Sequence, residues 1–187
     1  MLKLIFKTAI VLLLVACNPK SKSQDVELKT HISEIDWESS RKVAESQKLS
    51  GQYNLILNPV DFEGILDEIP VPILVPGQTE NISKEDIISL EDGYSFLQKY
   101  EGYQISIDAS HHSLEISDGN FEDRKLPKEI EPLASYLEDT YSWDISTRRF
   151  GADYYIQVFC LDEVQCLSES QVLLLAEDMI VIGGKGI

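Results

Sequence analysis

Tyr103-Gln104-Ile105-Ser106-Ile107-Asp108 alternates apolar and polar side chains, and Ser113-Leu114-Glu115-Ile116-Ser117 alternates again. A period of two is the mark of a strand with one face buried and the other wet. Residues 109–112 are short enough to be the turn of an antiparallel hairpin. This stretch sets the expectation for the fold: antiparallel pairs with helices laid against them.

Toward the C-terminus, Pro127 suits the first position of a helix, where its missing N–H costs nothing. Ile130, Leu133, Ala134, Leu137 and Tyr141 recur at spacings of three and four, predicting an amphipathic helix to about residue 141 with Pro132 in its second turn. Residues 143–147 and 155–159 alternate and predict a second hairpin, turning over 148–153. Ser168-Glu169-Ser170-Gln171 has the spacing of a capping box opening a helix over 172–182, with Gly183-Gly184 as its C-cap. Strands at 172–176 and 179–182 are the alternative, because the segment is apolar on most sides.

Toward the N-terminus, Ser83, Glu85 and Asp86 read as a helix start. Ile87, Ile88, Leu90, Tyr94 and Leu97 supply its apolar face and Gly102 its C-cap, unless Gly93 splits the segment in two. Prolines 70, 72 and 76 cannot donate to a ladder, so residues 69–77 form an edge strand or polyproline-like segment ending in a Pro76-Gly77 turn. That segment is either a rigid binding ridge or, the preferred reading, an edge blunted against aggregation. Residues 53–57 read as a first strand stopped by Asn58-Pro59, and 32–47 as a helix with Ser33 as N-cap and Trp37 packing it onto the domain or lying in a linker. The expected fold is α+β: an antiparallel sheet of hairpins with helices packed on one face, a two-layer sandwich over residues 51–187.

No nucleophile elbow, HExxH, phosphate loop or dinucleotide fingerprint occurs, so no enzyme class and no cofactor is nominated. His111 and His112, adjacent at the expected turn, point to opposite faces if extended and do not chelate one metal together. Residues 118–129 have oxygen-bearing side chains at EF-hand positions, but Asp123 stands where the loop needs glycine, which argues against calcium. Arg148-Arg149 is a candidate carboxylate or phosphate clamp, or an answer to surrounding acids.

The leader carries the most specific motif. Lys3 and Lys7 precede an apolar run over 9–15 that is too short to span a bilayer, and the run ends in Leu14-Val15-Ala16-Cys17. This resembles the lipobox of bacterial lipoproteins. The resemblance implies cleavage before Cys17, acylation of its thiol and new amino terminus, and several acyl chains, enough for stable anchoring. Asn18 in place of Asp implies outer-membrane sorting and a periplasm-facing domain, with residues 17–50 as a tether containing a possible helix. In that oxidising compartment Cys160 and Cys166 remain as an even pair, expected to form a structural disulfide.

Removing Lys3 and Lys7 with residues 1–16 leaves 14 basic against 32 acidic residues, a net charge of −18. Such a surface repels nucleic acid and attracts a basic partner. The expected function is therefore a membrane-anchored, non-enzymatic protein-binding module with an acidic recognition surface, engaging a basic envelope or periplasmic protein. The alternative is a structural or assembly lipoprotein docking through 69–77.

Overall fold

The computed structural model describes residues 27–50, 64, 66–79, 82–117, 126–161 and 166–187. The leader, Cys17, residues 18–26, the expected strand at 53–57 and residues 118–125 lie outside them. The α+β class with antiparallel sheets holds, although several elements differ from expectation.

Six strands form the main sheet: β3 (Ile87–Ser89), β4 (Gly93–Lys99), β5 (Tyr103–Ser110), β7 (Ile130–Leu137), β8 (Ser142–Arg149) and β9 (Ala152–Cys160), in the order β3-β4-β5-β9-β8-β7. Two ribbons accompany it. β1 (Glu27–Ile32) pairs with β6 (His112–Ser117), and β2 (Ile73–Pro76) pairs with β10 (Met179–Gly183), both antiparallel. The helices are α1 (Trp37–Leu49) and α2 (Glu169–Glu177).

The 103–117 hairpin does not form. Both edges of β5 are taken, by β4 on one side and β9 on the other, so β6 bends away at His111 and pairs with β1 instead. The helix expected from Ser83 is a 3₁₀ turn, Lys84–Asp86, followed by the β3–β4 hairpin. Gly93 is required there: a Cβ on it would lie 1.6 Å from the Ala109 carbonyl oxygen. The helix expected over 130–141 is strand β7 at the sheet's edge. A bulge between Ile130 and Leu133 absorbs Pro132, a position where a ladder N–H is dispensable. The bulge also puts Ile130 and Leu133 on one face, opposite Arg148 and Ser146, so a bulged strand reproduces a helical three-residue repeat.

The C-terminal segment divides between its two readings. Residues 169–177 are helical; 179–183 are a strand, and Asp178 rather than the glycine pair caps the helix. The Gln171 amide oxygen accepts from the Ser168 N–H at 2.8 Å, the return bond that a capping box supplies.

The inner face of the sheet carries Tyr94, Phe96, Ile105, Ile107, Ile145, Tyr154, Ile156 and Val158, all buried. The β2–β10 ribbon and the Val172, Leu175 and Ala176 face of α2 complete this core. Within 69–77 the strand is Ile73–Pro76, paired on one side only as an edge strand is, but every residue from Val71 to Pro76 is buried, so the segment is not an exposed ridge. Its outer edge is closed from the sheet: the Tyr94 hydroxyl accepts from the Leu74 N–H at 2.9 Å and donates to the Leu74 carbonyl at 2.8 Å, while the Tyr154 hydroxyl donates to the Pro72 carbonyl at 2.8 Å. The other edge is closed by α1, where the Gln47 amide donates to the Met179 carbonyl at 3.2 Å and accepts from the Val181 N–H at 2.9 Å. Buried backbone groups are thus satisfied by side chains where no third strand is available.

α1 begins later than Ser33. Its N-cap is Asp36, which accepts from the Ser39 N–H at 3.1 Å and pairs with Lys128 at 2.9 Å. Ile32 belongs to β1. Trp37 sits against Gly184 and Gly186, where a Cβ would come within 3.0 and 2.4 Å of its ring. Residues 27–49, expected within the tether, therefore pair and pack with the domain. Cys160 and Cys166 are disulfide-bonded, with Cα atoms 5.0 Å apart. The bridge ties the end of β9 to the approach of α2, whose Leu167 carbonyl accepts from the Trp143 indole at 2.8 Å.

Candidate functional site

The β8–β9 turn was expected over 148–153 but consists of Phe150 and Gly151, both at positive φ (54° and 86°). A two-residue turn with positive φ at both positions matches the twist of the flanking strands. The shorter turn moves both arginines onto β8 and sets Arg148 opposite Asp153. Arg148 is buried; its Nε donates to Asp153 Oδ1 at 2.5 Å and its Nη2 to Oδ2 at 2.7 Å. Nη2 also donates to Ser113 Oγ at 2.5 Å, and that hydroxyl donates to Asp153 at 2.5 Å. This knot ties β6 to the sheet. Asp153 holds the Nε–Nη2 fork, Ser113 shares Nη2, and Nη1 donates to the Pro127 carbonyl at 3.4 Å, so Arg148 has no fork left for an incoming anion and is not a clamp. Arg149, one residue on, points to the inner face and lies 5.4 Å from the Phe150 ring centroid. The paired arginines diverge because strand side chains alternate.

His111 and His112 sit at the β5–β6 bend, not at a hairpin tip. Bending brings the rings edge to face with centroids 4.5 Å apart, so they do not project to opposite faces. His111 Nδ1 lies 2.7 Å from the Asp92 carbonyl, and His112 Nδ1 lies 3.8 Å from the Asp92 carboxylate. Among the described residues, no three His, Cys, Asp or Glu side chains converge to hold a metal.

Apart from its Arg148 end, where Ser113 of β6 and the Pro127 carbonyl close over the guanidinium, the outer face of the sheet has no described element laid over it. Register defines its rows. The central row runs Ile88, Ser95, Asp108, Tyr155, Ser146, Leu133 from β3 to β7. The row on one side is Leu97, Ser106, Gln157, Asp144, Ser135; that on the other is Gly93, Ser110, Asp153, Arg148, Ile130. The Tyr155 hydroxyl donates to Asp144, and Gln157 donates to both at 3.2 Å. Desolvation, then this bond to Asp144 and its charge, pushes the Tyr155 phenol up to about 12. Polar groups thus occupy the middle of the face, while Ile88, Leu97, Leu133 and Leu137 leave apolar margins exposed.

An open cleft of about 530 Å³ lies at the Arg148 end. It is lined from the β3–β4 loop, at Leu90 and Asp92, to β7, at Ile130 and Leu133.

Chemically, this face is equipped to bind. The Ser113 hydroxyl donates to Asp153, a carboxylate paired with Arg148, and accepts from Arg148, so these bonds fasten a ribbon to the sheet. Of the residues singled out from sequence, Arg148 joins the site and His111 and His112 border it through Asp92; Arg149 lies across the sheet, and the disulfide ties β9 to α2. Asp108, Asp144, Asp153 and Tyr155 were not singled out. Their signal was the alternation of β5, β8 and β9, legible once the strands are set in register. Comparison with protein-family models, curated proteins and solved structures finds no match, so the site is read from its own geometry.

Proposed function

We propose that this chain is a lipoprotein of the cell envelope, held through Cys17 at the outer membrane of a Gram-negative cell and facing the periplasm. On this reading it is a non-enzymatic binding module whose acidic sheet face recognises a basic partner protein. One observation carries it: the sheet face that no described element overlies at its centre bears Asp108 and Asp144 with Asp92 beside it, while its buried arginine is paired with Asp153. Lys99 faces the same way but sits opposite Gln104, four residues along β5 from Asp108 and roughly 13 Å away. The net charge of −16 for the whole chain adds a long-range field that speeds encounter with a cationic partner.

The test is capture from envelope extract on the full-length protein in detergent, washed at low and at high salt. A basic protein retained at low salt, released at high salt and lost with the Asp108→Asn/Asp144→Asn variant is the expected result. Retention that ignores both salt and the double substitution would sink the reading.

A further inference from the structure

We infer that the cleft beside Arg148 seats a short segment of the partner polypeptide in which lysines alternate with large apolar residues. This inference rests on the function proposed above and names the chemistry of the same face. Its apolar walls stay exposed among the described residues: Leu90 is 44%, Ile130 48% and Leu133 70% exposed. Its volume of about 530 Å³ falls in the range of ligand-binding clefts, about 300–1,000 Å³. The polar groups at the cleft are arranged for a cation. Asp108 stands in the central row with no hydrogen bond or ion pair to any described residue, and Asp92 stands at the β3–β4 side.

Arg148 lines the cleft, but its charge is answered by two bonds to Asp153. A lysine answers both features at once: its methylene stem lies on the leucine walls and its ammonium reaches a carboxylate. Flanking leucine-sized residues cover what the stem leaves bare. A second copy of this chain is a poor occupant, because two strongly acidic surfaces repel each other.

The test uses the full-length protein in detergent and three fluorescein-labelled hexapeptide amides, followed by anisotropy. One alternates Leu and Lys, one Gly and Lys, and one Leu and Glu. The Leu/Lys probe is expected to bind at least about tenfold more tightly than the Gly/Lys probe, and the Leu/Glu probe not to bind. Leu133→Ser and Ile130→Ser, both at exposed positions, should each erase most of that tenfold preference, and Asp108→Asn should weaken both lysine probes. Equal binding of the two lysine probes, unaffected by Leu133→Ser, would overturn the cleft inference while leaving a basic partner in place. No binding by either lysine probe, or preference for the Leu/Glu probe, would overturn both. A dimer that Leu133→Ser dissociates would assign the cleft to a second copy and also overturn the inference.

Discussion

Single hydroxyl groups decide much of this fold. Tyr94 supplies both the donor and the acceptor that Leu74 lacks on the outer edge of β2. Tyr94→Phe keeps the ring and strands two buried backbone groups. We expect urea unfolding to show a loss of about 1–3 kcal/mol with an unchanged folded spectrum. An unaltered midpoint would mean that water reaches Leu74. The same residues predict an alkaline limit. Burial pushes the Tyr94 and Tyr154 phenols far above their ordinary value, and pushes Tyr100 up to about 12. Unfolded tyrosine ionises near pH 10, so above roughly that pH the unfolded chain releases protons that the folded chain retains, and stability falls as pH rises. Phenolate absorbance should therefore grow in step with loss of the fold. Full ionisation of all tyrosines in a chain still folded would contradict it.

At the scale of elements, the misread segments share one cause. Ile130, Leu133 and Leu137 satisfy a helical spacing, yet a strand with one bulge puts the same three residues on one face. Ile87 and Tyr94 are seven residues apart and both face inward, but across a hairpin loop and not along a helix. Spacing alone does not separate these cases; a bulge or a turn resets the period. The strands of β8 and β9 were legible because neither contains such a reset. Only their turn was drawn too long, and with it the partnership of Arg148 and Asp153 was missed. The disulfide gives the prediction at this scale. Cys160 and Cys166 close a short loop between β9 and α2. The Cys160→Ser/Cys166→Ser variant should lose about 2 kcal/mol, read as a lower melting temperature, with the loss matched by adding reductant to the native chain. A midpoint indifferent to reductant would assign the bridge no part in stability.

For the whole molecule, location and charge act together. No described helix is long and apolar enough to cross a membrane. The anchor proposed above rests on the leader and Cys17 and has its own test. Labelled palmitate should enter the native chain, and Cys17→Ala should abolish both the label and recovery in the membrane fraction. Equal labelling of the two would remove the anchor from the proposed function.

What the sequence determined by itself is local or additive: the net charge, the even pair of cysteines, and the alternation that makes 103–108, 143–147 and 155–159 strands. These follow from composition or from period, which neighbours along the chain suffice to set. What only the tertiary structure decided is which edges meet. β6 joins β1 because β4 and β9 already hold both sides of β5; the β2–β10 ribbon is buried because two tyrosines finish the β2 edge and Gln47 the β10 edge. The acidic face exists for the same reason, since Asp108, Tyr155 and Ser146 become neighbours only through strand register. Pairing is a competition for free backbone edges across the whole chain, and no stretch of sequence records its outcome alone.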